Sequence, residues 1–112
     1  MAENKLADMS TEFAVKILTL TDGIKGHYSL ANQLERSGTS IGANVSEAQR
    51  GQSKADFNAK LNIALKEANE TYYWLKLLLK TEYLTEKEFD SLSKNIDEII
   101  AILVSICKKT NA

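Results

Sequence analysis

With 112 residues and no proline, the chain is long enough to bury one core and has nothing to interrupt long helices. Fourteen Lys plus Arg against fifteen Asp plus Glu exclude a polyelectrolyte, and with it the strongly basic footprint of a general nucleic-acid binder. The lone cysteine, Cys107, excludes an internal disulfide and fits a reducing compartment.

Residues Met1 to Ser10 contain no apolar signal core. The longest apolar run, Ile99 to Cys107, is broken only by Ser105 and is less than half of the roughly 20 residues a membrane span needs. The chain therefore reads as a cytoplasmic protein with no membrane partner, forming a single domain over residues 1–112.

Leu6, Met9, Phe13, Ile17, Leu20 and Ile24 advance by threes and fours and define a first helix, weakened at its end by Gly23 and Gly26. Ser29 is the expected N-cap of a second, with the stripe Leu30, Leu34, Ser37, Ile41, Val45 and Ala48; Gly51 closes it. Ser53 with Asp56 resembles a capping box and opens a third helix through Phe57, Leu61, Ala64, Ala68, Tyr72, Leu75 and Leu79. Thr85 and Glu88 form a regular capping box, with Leu84 and Phe89 placed as a hydrophobic staple. The fourth helix follows through Phe89, Leu92, Ile96, Ile99, Leu103 and Ile106. Near-heptad spacing and short connections predict an all-α, up-down-up-down antiparallel four-helix bundle of left-handed twist.

Two helices carry more than one core-facing stripe. On the second, Ala31, Gly38 and Gly42 form a small-residue face beside the core stripe. Each glycine costs about 0.8–1 kcal/mol against alanine in a helix interior, which is tolerable where another backbone approaches closely. On the other flank lies a polar stripe of Gln33, Arg36, Ser40, Asn44 and Glu47. The third helix adds Ala59, Ile63, Glu67, Glu70, Trp74 and Leu77 outside its core line. Apolar groups on two faces exceed what one core covers, so Ile63, Trp74 and Leu77 are expected in a homo-oligomer interface.

Several constellations suggest chemistry. Gly38-Thr39-Ser40-Ile41-Gly42 matches the G-x-S-x-G nucleophile elbow, but that motif needs a strand before its serine, and here both flanks are helical. The only histidine, His27, sits in a connection, and no histidine follows Arg36 or Arg50 as a helical nuclease would require. Glu47, Glu67 and Glu70 could meet as in a carboxylate-bridged dimetal site, but such sites add two histidines at Glu-x-x-His spacing. Here the third residue after Glu67 is Glu70, and after Glu47 it is Arg50. The expectation is therefore no catalytic residue, no cofactor and no metal, with a carboxylate-based metal-binding or enzymatic bundle as the alternative. The economical pairing sets Arg36 against Glu47, Glu67 or Glu70, with Ser40 and Asn44 completing a network that fixes register. Lys66, Lys76 and Lys80, with Asn58, Asn62 and Asn69, form a basic face that is a candidate for nucleic acid and would repeat around a ring.

Gln33-Leu-Glu-Arg-Ser-Gly-Thr-Ser-Ile-Gly-Ala-Asn-Val-Ser-Glu-Ala48 resembles the signature of the 23S rRNA-intervening-sequence protein family, a family of four-helix bundles. The match continues through Ser53-Lys-Ala-Asp-Phe57, Lys66-Glu-Ala-Asn-Glu70 and Tyr73-Trp-Leu75. Glu35 and Ser46 are mild departures. The resemblance implies a ring-like homopentamer and a binding or scaffolding role, with RNA or a nucleic-acid-processing protein as the partner. Most members have no established activity.

Overall fold

The computed structural model describes residues 2–110, with side chains described for residues 5–109; of the expected 1–112 domain, Met1, Asn111 and Ala112 lie outside it. Four helices follow one another: α1 (Ala2–Asp22), α2 (Tyr28–Gln49), α3 (Lys54–Lys80) and α4 (Glu86–Thr110). Each packs on its sequence neighbour, and α1 also packs on α4; among the described residues no such contact crosses a diagonal. The result is an all-α antiparallel bundle of 43 × 21 × 20 Å. Its length matches its longest helix, since 27 residues at about 1.5 Å each span about 40 Å.

Local chemistry sets three of the helix ends. Ser53 Oγ accepts from the Asp56 N–H at 3.1 Å and starts α3. At α4 the box is reciprocal: the Thr85 N–H donates to Glu88 Oε1 at 2.9 Å, and the Glu88 N–H donates to Thr85 Oγ1 at 3.1 Å. α3 closes in a Schellman motif, with Tyr83 N–H on the Leu78 carbonyl at 2.9 Å and Glu82 N–H on the Leu79 carbonyl at 3.1 Å. The left-handed residue this demands is Glu82, at φ 68°.

The start of α2 differs from the sequence expectation. The helix begins at Tyr28 with His27 at the N-cap position, and no side chain caps it. The entry is set by long-range packing instead. His27 meets the Tyr83 ring edge-on at 4.9 Å between centroids. Gly26, at φ 107°, leaves room for the Tyr83 hydroxyl, which would stand 3.2 Å from any Cβ there.

The core is a layered column that includes Leu6, Phe13 and Ile17 of α1, Leu34, Ile41 and Val45 of α2, Leu61, Leu75 and Leu78 of α3, and Ile96, Ile99 and Leu103 of α4. On α3 the buried line runs Leu61, Ala64, Ala68, Thr71, Leu75, Leu78; Tyr72 and Leu79, expected in it, are half-buried. A straight helix drifts off a seven-residue repeat, and this one is the longest of the four. Cys107 is buried at the end of α4, and burial pushes its thiol above the ordinary value, away from the reactive thiolate.

Gly38 and Gly42 face α1 of the same chain. A Cβ at Gly38 would stand 3.1 Å from both Cγ1 and Cγ2 of fully buried Ile17. At Gly42 the nearest atom would be the Ser10 carbonyl oxygen at 3.5 Å, an ordinary contact. The two glycines should therefore respond oppositely. Gly42→Ala should gain roughly 0.5–1 kcal/mol from helix propensity and raise the melting temperature by a few degrees. Gly38→Ala should instead lose stability, because its Cβ would press on two carbons of fully buried Ile17 at 3.1 Å. Thermal and urea unfolding of both variants measures this, and equal responses would refute the close-approach assignment.

Candidate functional site

The side chains with the most chemical potential collect along the outer seam of α2 and α3. Register is fixed by three cross-helix contacts: Arg36 with Glu70, Ser37 with Thr71, and Glu47 with Lys60. Eleven residues forward on α2 thus correspond to ten back on α3, as antiparallel neighbours require.

Arg36 forks over two carboxylates. Its Nη2 reaches Glu70 Oε1 at 2.8 Å, and its Nη1 lies 3.6 Å from Glu67 Oε2. Glu70 Oε1 also accepts from Trp74 Nε1 at 3.2 Å, so one oxygen joins both helices and the indole. The Arg36 side chain is 53% exposed, which places the Glu70 pair among solvent-screened contacts worth about 0–1 kcal/mol. Glu67 is different: its side chain is only 12% exposed, and Oε2 is buried without a hydrogen bond. A buried polar atom left unmatched costs on the order of 1–3 kcal/mol.

The predicted polar stripe is only partly a network. Ser40 Oγ donates to the Arg36 carbonyl at 2.6 Å, and Asn44 Nδ2 donates to the Ser40 carbonyl at 2.8 Å. Both bonds stay within α2 and bridge to no other helix. Glu47 pairs with Lys60 Nζ at 3.4 Å, a turn or more away from Arg36. The three carboxylates do not converge: two turn to Arg36 and the third to Lys60. Among the described residues no cluster of three or more His, Cys, Asp or Glu could hold a metal ion.

Beneath this seam lies a contact the sequence did not announce. Thr71 Oγ1 and Ser37 Oγ stand 2.9 Å apart, both fully buried. Thr71 Oγ1 donates to Ser37 Oγ, which donates to the Leu34 carbonyl at 3.3 Å; the Glu67 carbonyl, 2.7 Å from Thr71 Oγ1, is a second acceptor for the same Thr71 proton. No polar atom of the pair is orphaned, and the hydroxyls lock α2 against α3 at one register.

The proposed interface residues divide. Ile63 is 41% exposed, whereas Trp74 and Leu77 are half-buried. Trp74 packs against the core and is hydrogen-bonded, so the bundle itself covers part of the apolar excess on α3. On the other side of α3, Lys66, Lys76 and Lys80 are exposed, as are Asn62, Asn69 and Tyr73; Asn58 is half-buried. No helix among the described residues is long and apolar enough to cross a membrane.

A model of the 23S rRNA-intervening sequence proteins matches residues 2–105. The chain belongs to that family. It is also similar to a solved structure from Bacteroides thetaiotaomicron, a protein of unknown function from the S23 ribosomal protein family. The two chains are 50% identical over 96% of this one and 99% of the other, with a TM-score of 0.91. No curated protein matches. Family membership accounts for the bundle and its two motif blocks, and it brings no activity with it.

Arg36 and Lys60 should differ when truncated. Arg36→Ala leaves Glu67 buried without a cation and should cost about 1–2 kcal/mol, whereas Lys60→Ala should cost under about 0.5 kcal/mol. Chemical denaturation of the two variants decides this, and equal losses would make the Arg36 fork an ordinary surface pair.

Proposed function

We propose that this family member is a non-enzymatic, self-associating bundle that acts as a binding or scaffolding module in the cytoplasm. The observation that carries the reading is Ile63, a large apolar side chain left exposed on the flank of α3 that also carries Glu67, Glu70 and Trp74. Along the same flank lie half-buried Trp74 and Leu77, and the Arg36 fork reaches Glu67 and Glu70 from α2. A second protein surface that covers Ile63 and pairs with the exposed part of the Arg36 fork would meet the apolar and the charged side of this flank at once. A copy of the same chain is the simplest source. A head-to-tail contact of this kind closes into a ring, and five copies are what the family resemblance favours.

Light scattering coupled to size exclusion should then give a mass several times the 12.4 kDa of one chain. Ile63→Glu should lower that mass without lowering helical content, because the side chain is already 41% exposed. A monomer at micromolar concentration in the unaltered protein would end this reading.

A second reading concerns what such an assembly holds. The outer face of α3 presents Lys66, Lys76 and Lys80 with no acidic residue among them, and Tyr73 lies in their midst, 53% exposed. Phosphate contacts from lysines and base stacking on an aromatic ring are the two elements of RNA binding. Changing all three lysines to Glu should abolish retention of structured RNA, while the unaltered protein's affinity should fall steeply with salt. Unchanged affinity in the triple variant, read by filter binding, would remove RNA from this face.

A further inference from the structure

A different surface carries an assignment of its own. The α1/α4 seam is the open one: two hollows lie along it, separated where Lys16 Nζ donates to Asn95 Oδ1 at 2.9 Å. The larger, about 620 Å³, has Leu20 and Leu92 among its lining, Val15 and Gly23 along α1, and Lys87 at the end beside Gly23. Val15 is 58% exposed and Leu18 42%, the two large apolar side chains of α1 left in solvent.

The outer stripe of α1 around them is exposed throughout: Asp8, Thr11, Glu12, Val15, Leu18, Asp22. It is apolar at its centre and acidic towards both ends, with exposed Lys5 and Lys16 flanking it beside Glu12 on the side of the smaller hollow. The neighbouring hollow is apolar with lysines on its rim. Glu88, its one carboxylate, is committed to the Thr85 N–H at 2.9 Å. One copy of the chain thus carries both halves of a complementary pair.

We propose that α1 is a second self-association surface, on which two copies pair about a two-fold axis with their α1 helices antiparallel. Setting Val15 of each copy beside Leu18 of the other brings the apolar centres together. The same register places Asp8 of one copy level with Lys25 of the other. It also brings Glu12 within a turn of the level of the other copy's Gly23 and Lys87. Every such pair occurs twice, as an isologous contact requires. The pairing centres on one helix of each copy, so a high protein concentration favours its detection. It shares no residue with the α2/α3 seam and does not rest on the proposed ring.

The test is directed cross-linking. In a Cys107→Ala background, Val15→Cys and Leu18→Cys proteins are mixed at about 100 μM and oxidised. The expected result is a mixed disulfide dimer several-fold more abundant than any formed with a control cysteine at exposed Asn62 of α3. Adding Ile63→Glu should leave that yield unchanged, which separates this contact from the ring. Lys87→Glu should lower the yield on the order of tenfold, and Glu12→Lys in the same chain should restore it. Equal yields for the Val15/Leu18 and Asn62 pairs, or no rescue by the charge exchange, would overturn the assignment.

Discussion

With no Cβ at Gly38, Ile17 of α1 rests directly on the α2 backbone, and the other faces of α2 follow from that approach. A helix in a four-membered ring has two neighbours about a quarter-turn apart, so it needs two buried flanks. On α2 one flank is small, with Ala31, Gly38 and Gly42, and the other is built of Leu34, Ser37, Ile41 and Val45. The small flank draws α1 close, and the remaining side chains fill the space towards α3 and the bundle axis. Substituting a larger residue for Gly38 would therefore displace a whole helix. The α1/α4 seam has no glycine pair of this kind, and it is where the open hollows lie.

The polar contacts settle register more than they add stability. Arg36 and Glu70 are largely in water, where an ion pair gains little over its entropy cost. Ser37 and Thr71 are buried, but their hydroxyls replace hydrogen bonds they would make with water, so the net gain is only about 1 kcal/mol. Sliding α3 by one turn would break the Thr71–Ser37 contact and unseat the core side chains beside it, although each hydroxyl would keep the carbonyl of its own helix. Glu67 is the exception in this seam. Its Oε2 is buried without a hydrogen bond, and the Arg36 guanidinium 3.6 Å away is the charge that offsets that burial.

Much of this was legible in the sequence because it is local. Ser53 with Asp56 and Thr85 with Glu88 sit three residues apart; Ser53 caps α3 through the Asp56 N–H, and Thr85 with Glu88 closes a full reciprocal box. The Schellman turn at Glu82 was not legible, since the residue at φ 68° is not a glycine and gives no signal. The start of α2 was misplaced at Ser29 because the Tyr83 ring, more than fifty residues away, sets the entry through His27 and Gly26. The partner of Glu47 depends on the α2/α3 register, so Lys60 could not be chosen over Arg36 from spacing on one helix. The small face of α2 was readable as a site of close approach, but a helical wheel does not say whether the approaching helix belongs to the same chain.

The near-zero net charge conceals an uneven distribution. α1 and α3 lie on a diagonal of the bundle, and their backbones do not approach one another among the described residues. The outer stripe of α1 carries Asp8, Glu12 and Asp22, and the outer face of α3 carries Lys66, Lys76 and Lys80. The bundle is 20–21 Å across, while the Debye length at physiological salt is about 8 Å. A partner approaching one side is therefore largely screened from the other, and each face acts with its own sign. A chain of net charge −1 can in this way offer an acidic surface to lysines and a basic surface to phosphates. The total reports on neither surface, because it sums charges that no single partner meets together.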